Sequence, residues 1–417
     1  MQRIKPPFFY GYLVLAVCFL CQVMGSGFVM YAFSVYVKPI SGEFGWSRAE
    51  IMGASTTMGL VMGFLAPFVG RLIQTFGAKK MIAIGALITG VGFLLLSLTK
   101  NMWQYYVSYA VVGMGSAVGG IVPTSLVVAN WFKRRRGFAI GLLGTGIGLG
   151  GFSGPLLIGA YLIPHFSWQT SYVVSGVVTA LVIIPLSLLI IETKPEDMGL
   201  LPDGEGVSIN PEVRSRTLGS SSELNLTMAR GTFAFWLMAI AFTTFGFANQ
   251  SIFHNHAPHL QDIGFAAGVA ASAVSFAGIG SGIGKFGLGW LCDFIPSKYS
   301  LALGSSFEVI AILILMNIKT TSPLFLVWLY SLLFGFGIGS WLPAMSMTVS
   351  SMFGLTSYGV IFGIMNLLEM LGGSIGPLVA GFIFDASQSY FWAFIAAICI
   401  HAISFVTILL VRRPKSF

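Results

Sequence analysis

The sequence predicts an all-α membrane protein whose twelve transmembrane helices form two pseudo-symmetric six-helix bundles. Three observations carry that expectation: a charge-poor composition, apolar runs long enough to cross a membrane, and an internal repeat. Of the 417 residues, 56% are hydrophobic and only 9% charged, whereas a soluble domain carries roughly a quarter charged residues. A soluble fold cannot hide that much apolar surface. Runs of about twenty apolar residues recur along the chain, the length a helix needs to cross about 30 Å of hydrocarbon. A β-barrel would show segments of about ten residues in strict alternation, and LVIIPLSLLII at 181–191 does not alternate.

The expected spans lie near 10–37, 50–74, 80–99, 103–130, 137–163 and 169–191, then near 232–253, 266–290, 299–318, 323–348, 359–384 and 389–411. The first is too long for a signal peptide and lacks a small-residue cleavage site, so it reads as a retained span. Between the two sets, Pro, Ser and seven acidic residues displace the apolar pattern from Glu192 to Arg230. The domains are therefore a first bundle at 1–191, a cytoplasmic linker at 192–231 and a second bundle at 232–417. No large soluble domain is expected.

Orientation follows from Lys and Arg, which accumulate in cytoplasmic loops. With both termini inside, 17 of the 22 face the cytoplasm and four (Lys38, Arg48, Lys100 and Lys319) face outward, leaving Lys285 within a span. The net charge of +8 is thus spread over helix ends. Topology accounts for it with the lipid bilayer as partner and no nucleic acid. Cys18, Cys21 and Cys399 fall in spans and Cys292 at the end of one, so neither a disulfide framework nor a metal site is suggested.

The repeat appears twice. GRLIQTFGAKK at 70–80 and GWLCD at 289–293 share Gly, Leu and an acid or amide at an offset of 219. Trp131, Gly137, Gly154 and Pro155 become Phe353, Gly359, Gly376 and Pro377, each displaced by 222. Two parallel halves of six spans place a substrate between them, near the bilayer midplane.

On these residues the chain resembles the major facilitator superfamily, whose loop between the second and third helices reads Gly, x, Leu, x, Asp, Arg, x, Gly, Arg, Lys. Gly70, Leu72, Gly77, Lys79 and Lys80 keep the pattern, Gln74 replaces the acid and Ala78 a basic residue, and the second copy keeps the acid as Asp293. In the family this loop latches the halves on the cytoplasmic side. The resemblance therefore implies a gate of Gly70, Arg71, Gln74, Gly77, Lys79, Lys80 and Asp293. The alternative for Lys79 and Lys80 is ordinary positive-inside anchoring. YAFSVYVKPI at 31–40, NWFKRRRGFAIGL at 130–142, KPEDMGLLPDG at 194–204 and GIMNLLEMLGGSIGPLVAG at 363–381 are similar to the branch of monocarboxylate porters and oxalate/formate antiporters.

A charge near the bilayer centre is costly and marks a pathway or a partner. Lys285 lies eight residues before Asp293, about 12 Å along a helix, among glycines that leave room beside a long side chain. It reads as the anchor for a small organic anion, or else as a structural Lys that is paired or snorkelling. The resemblance implies the former, because relatives use an Arg at the matching position to bind the substrate carboxylate. Glu369 is ten residues past Gly359, about 15 Å into its helix, with Asn366 one turn earlier on the same face. These two are expected to form a buried polar pair, Glu369 as a proton carrier or as a structural hydrogen-bonding group.

By similarity of position, Tyr31 faces the substrate, or else it serves as helix packing, and the cavity positions of the fourth helix fall at Gly120 and Val122, beside Pro123. That half of the pocket is apolar and roomy, so the substrate is expected to be larger or more apolar than oxalate. Ser281 stands where mammalian-type monocarboxylate porters have a proton-coupling Asp, and Met365 where the oxalate/formate antiporter has a second Lys. One cation favours a monocarboxylate over a dicarboxylate. Glu308 is left outside the site because the ninth helix is peripheral in the family.

The FHNHAPH stretch at 253–259 reads as a loop at the outer end of the seventh helix, plain, pH-sensitive or part of an outer gate, rather than as a metal site. GIGLGG at 146–151 lies within an apolar run with no strand before it, so it is helix packing and not a dinucleotide fingerprint. Asn225 is excluded as a glycosylation acceptor by its expected side.

The implied function is secondary active transport of a small monocarboxylate by a monomer in the plasma (cell inner) membrane. It needs no cofactor beyond a proton or counter-anion, and it is not an enzyme. Rival readings are anion exchange of the oxalate/formate type and a non-transporting carboxylate sensor. The charge asymmetry makes a direct prediction: a fluorescent protein fused after Phe417 will fluoresce, whereas alkaline phosphatase fused there will be inactive. The opposite pattern would reverse the topology.

Overall fold

The computed structural model describes residues 9–133, 135–202, 226–354 and 358–413. Twelve helices are long and apolar enough to cross a membrane: α1 (Gly11–Phe44), α2 (Arg48–Phe76), α3 (Ala78–Ser97), α4 (Met102–Trp131), α5 (Phe138–His165) and α6 (Trp168–Ile190), then α7 (Phe233–Asp262), α8 (Ala267–Leu291), α9 (Ser297–Asn317), α10 (Leu324–Phe353), α11 (Val360–Ser387) and α12 (Phe391–Leu410). An even number of crossings puts both termini at one end of the bundle, here the terminal end; the opposite face is the far end.

Two helices run further than the sequence suggests, because polar residues that interrupt their apolar pattern are paired in the tertiary structure. The α1 helix continues through Lys38 and Pro39 to Phe44. Lys38 meets Asp262 there, and Glu43 accepts hydrogen bonds from Trp168 and, at 3.1 Å, from Gln169. The α7 helix continues through the histidine-rich stretch to Asp262, which corrects the expectation of a loop at 253–259. Its side chains pack in different directions: His254 edge-on to Phe33, His256 between Tyr330 and Phe334, and His259 against Tyr390 and Phe394.

Local signals set the helix ends. Ser47 caps α2 in a reciprocal box with Glu50, Asn101 caps α4 and Ser167 caps α6. Gly77, at φ +80°, makes the tight passage from α2 to α3, a conformation that disfavours a side chain. Several spans are broken or widened part-way. Gly120 interrupts α4, and Ser340 separates the two helical pieces of α10. These breaks are 220 residues apart, close to the repeat offset. Wider π-helical turns occupy Gly25–Tyr31 in α1 and Leu156–Leu162 in α5.

The seam between the halves is built from α2 against α11, α5 against α8, and α1 against α7. Exchanging first-half and second-half helices maps the first two pairs onto each other, as a pseudo-twofold requires. Within a membrane no hydrophobic force drives helix against helix, so small residues that let backbones approach do the work. A Cβ on Gly278 would lie 2.7 Å from the Phe152 nitrogen, and one on Gly381 would lie 2.8 Å from the Ala49 nitrogen. Thr56 Oγ1 donates to the Ser374 carbonyl at 2.6 Å, joining α2 to α11.

These contacts predict that Gly278→Val destabilises the solubilised protein by about 1–3 kcal/mol, since backbone atoms of α5 block the new side chain. Gly268→Ala, whose Cβ would meet only the Ala160 methyl at 3.9 Å, will be neutral. Thermal unfolding in detergent checks both.

Candidate substrate site and gate

The α8 helix has two faces. Ile283, Phe286 and Trp290 are exposed along one side; Ser281 and Lys285, one turn apart, share the opposite side. Gly278 and Gly282 approach Gly151 and Gly148 of α5, while Gly280 and Gly284 approach α10. Lys285 therefore points into the interior between the halves. It is half-buried, and no hydrogen bond or ion pair joins it to any described residue. An unpaired ammonium within a span is an unmet electrostatic demand.

Tyr31 sits in the π-helical segment of α1, packed over Gly151 and edge-on to Phe253 of α7 with ring centroids 4.8 Å apart. Its hydroxyl faces Ser281, whose own oxygen is buried without a hydrogen-bond partner. Tyr31 thus bridges the halves one helical turn from Lys285. Asn366 lies on the side of α11 opposite the exposed Leu371, Ile375 and Phe382. The expected pair with Glu369 does not form: the Asn366 amide approaches Met370 Sδ at 3.5 Å, while Glu369 turns toward α7, where its backbone and Cγ pack against Gly246. Three residues along a helix leave the two directions about 60° apart, and each side chain turns to its own neighbour. Both are half-buried.

The fourth helix contributes differently. Gly120 forms the break in α4, its carbonyl accepting from Thr124 Oγ1 at 2.9 Å, and Gln22 of α1 donates to Thr124 at 2.7 Å. Val122 is exposed beside the break. No described hydrogen bond or ring contact links Gly120 or Val122 to Lys285 or Tyr31.

The far end is clamped by charges. Arg48 of α2 reaches Asp262 of α7 at 3.1 Å, and Lys38 of α1 pairs with the same carboxylate. Asp385 of α11 accepts the backbone N–H groups of Arg48 and Ala49 at 2.9 and 2.8 Å, placing a carboxylate from the second half on the positive N-terminus of a first-half helix. The Arg48 guanidinium also lies 5.3 Å above the Phe384 ring. Each of these contacts crosses the seam.

At the terminal end the described polar contacts stay within one half. Lys79 pairs with Glu192 at 2.9 Å, the Ala78 N–H donates to Thr193, and Trp131 donates to the Glu192 carbonyl. In the second half, Lys298 donates to the Leu409 and Val411 carbonyls. Asp293 is exposed. Lys79, Lys80, Gly77 and Asp293 therefore form no latch across the seam here; Gly70 and the Arg71 and Gln74 side chains lie outside the described residues. The gate held closed by charges is at the other end, made of Lys38, Arg48, Asp262 and Asp385. Sequence reasoning read the first two as loop charges and missed the acids, because pairing over more than 200 positions leaves no local signal. Among the described residues no group of three or more His, Cys, Asp or Glu is placed to hold a metal ion.

The Major Facilitator Superfamily family model matches residues 15–377, and also 257–416. The chain belongs to the Major Facilitator Superfamily. Among its superfamily relatives, monocarboxylate transporter 13 of Bos taurus is 23% identical over 93% of this chain and 86% of its own length. The oxalate:formate antiporter of Oxalobacter formigenes is also 23% identical, over 88% of this chain and 84% of its own. The fold is that of solved superfamily transporters. A bacterial homologue of the human lysosomal transporter Spinster, in an inward-facing, unoccupied structure, superposes with a TM-score of 0.69 at 14% identity, over 98% of this chain and 95% of that one. This is a multi-pass membrane transporter.

The clamp predicts a gating phenotype. In Asp262→Ala or Asp385→Ala, a cysteine placed at Ser374, buried in the seam, will react several-fold faster with an impermeant maleimide added from the far side. Unchanged labelling in both variants would remove the clamp from the gate.

Proposed function

We propose that the protein moves a small monocarboxylate across the plasma membrane by alternating access, coupled to protons, with the terminal end in the cytoplasm. The observation that carries this reading is Lys285, an unpaired cation facing the seam. Its charge calls for an anion, and its ammonium, unlike a guanidinium, binds a carboxylate as a point charge and not through a bidentate fork. Tyr31 and Ser281 cover the anion on the far side, and Asn366 offers an amide from α11. Gly120 and Val122 line the apolar side, in keeping with a substrate larger or more apolar than oxalate. A single cation suits one carboxylate. The proton is the coupling species, with the half-buried Glu369 of α11 as its carrier; no further cofactor or second subunit is called for.

Alternation follows from the clamp. With the far end closed, substrate exchanges with the cytoplasm; opening requires the two acids of α7 and α11 to leave the two bases of α1 and α2, while the Gly-rich faces of α5 and α8 rock on each other. A terminal-end latch from Gly70, Arg71, Gln74, Gly77, Lys79, Lys80 and Asp293 belongs to the opposite state.

The test is uptake of radiolabelled monocarboxylates and oxalate into proteoliposomes, with and without an inward proton gradient. Lys285→Ala will lose uptake at least tenfold and Lys285→Arg will retain part of it. Gradient dependence selects symport, whereas a requirement for internal carboxylate selects the exchange suggested by the antiporter relative. If no carboxylate moves, or the alanine variant transports normally, the reading fails.

A further inference from the structure

The α5 and α8 helices pack tightly over only part of their length. A Cβ on Gly159 would lie 2.8 Å from the Ala271 Cβ, one on Gly278 2.4 Å from the Gly151 carbonyl carbon, and one on Gly148 3.1 Å from the Gly282 Cα. Gly144 and Gly141 lie seven residues before Gly151 and Gly148, about two turns back on the same face of α5. A Cβ on either would meet nothing within 4 Å. The two helices therefore part from Gly148 toward the terminal end. On the other side of the seam the space is taken up, since a Cβ on Gly63 of α2 would meet the Leu367 and Met370 side chains of α11 at 3.7 and 3.9 Å.

The parting leaves a groove of about 580 Å³, walled by Leu149 and Phe152 of α5 and by Ile283 and Phe286 of α8. Leu149, Ile283 and Phe286 are exposed, so the groove faces lipid. Its volume falls within the ordinary span of small-ligand pockets, about 300–1,000 Å³. Thr145 brings the only side-chain hydroxyl of its lining, and that hydroxyl already donates to the Leu142 carbonyl at 2.7 Å. A ligand therefore finds hydrocarbon there and no side-chain polar partner.

The groove leads to the cation. Gly282 faces α5; one turn nearer the terminal end, Lys285 stands about 60° from that direction toward the seam and Phe286 about 40° from it toward the bilayer. Four residues along each antiparallel helix from the contact of Gly148 with Gly282, Gly144 comes opposite Phe286, beside Lys285. That is where α5 has left α8. The gap joins the lipid-facing groove to the side of α8 that carries Lys285.

We propose that the cleft between α5 and α8 is a lateral entrance, and that the substrate is an amphipathic monocarboxylate whose carboxylate binds Lys285 while its alkyl or aryl tail lies in the groove. The inference rests on Lys285 as the anion anchor and narrows the substrate to acids that partition into the bilayer. The tail is at home in hydrocarbon, whereas the charged head is not. Trp290, one turn beyond Phe286 and exposed, marks the headgroup level on α8. Because the cleft is open at Gly141 as well as Gly144, the head passes from that level to Lys285 between the helices while the tail stays against the apolar walls.

Two measurements on the purified full chain in nanodiscs test the proposal. The first is binding of straight-chain monocarboxylates by calorimetry. Affinity will rise about two- to fourfold per methylene from propionate to octanoate. Gly144→Leu, which fills the free space in the cleft, will weaken octanoate at least tenfold and leave propionate within twofold. A rise that persists unchanged in Gly144→Leu overturns the lateral entrance. Binding that ignores tail length does so too while leaving the monocarboxylate reading in place, and failure of every acid to bind ends both. The second follows the tail itself. A fluorophore on Leu149→Cys, in a Cys399→Ser background because Cys399 is exposed and the other cysteines are buried, will be quenched saturably by a decanoate carrying a nitroxide on its tail, and Lys285→Ala will abolish that saturation. Equal quenching by the matching alcohol, or undiminished saturation in Lys285→Ala, would show that the groove holds ordinary bilayer chains, and the proposal would fall.

Discussion

The constraint on which the structure depends is that the bilayer core offers no water to a polar group. Every backbone N–H and C=O must be paired within the segment, which makes the spans helical, and helices in hydrocarbon associate through close packing and not through hydrophobic burial. The glycines on the facing sides of α5 and α8, and of α8 and α10, answer that demand. The same constraint makes each charge inside the membrane exceptional. Lys285, Glu308 and Glu369 stand out for this reason, and the breaks at Gly120 and Ser340 are tolerated because they are enclosed by protein.

Charge also decides which end is closed. At the far end, bases from the first half meet acids from the second across the seam, and the Asp385 carboxylate sits on two N–H groups at the start of α2. At the terminal end Lys79 pairs with Glu192 within the first half and Lys298 donates to backbone carbonyls within the second. Polar groups that pair across a seam hold it shut, whereas groups that pair within a half leave it free to open. The described contacts therefore hold the far end closed.

The three ionisable groups within the spans differ in what they face. Lys285 faces the seam without a partner, which suits a ligand that comes and goes. Glu308 is sealed among helices of the second half, where the Asn249 amide donates to it at 2.9 Å and His401 Nε2 lies 3.2 Å away. Glu369 packs along α7 between the two. Position relative to the seam, more than charge alone, distinguishes the three.

The sequence by itself determined the architecture. Twelve spans and the twofold repeat follow from local quantities, namely the length of apolar runs and the spacing of Gly and Pro, and the superfamily from the resemblance of local motifs such as GRLIQTFGAKK at 70–80. Lys285 and Glu369 were legible for the same reason, since a charge in an apolar run is visible without knowing its neighbours. What each charge meets was not legible. The continuation of α7 through three histidines, the turn of Glu369 toward Gly246, the clamp of Lys38 and Arg48 on Asp262 and Asp385, and the pairing of Glu308 with Asn249 all depend on contacts between residues tens to hundreds of positions apart. Only the tertiary structure decided these, because a polar residue in a membrane is stabilised by whichever helix packs beside it, and helix adjacency is not written in any local stretch of chain.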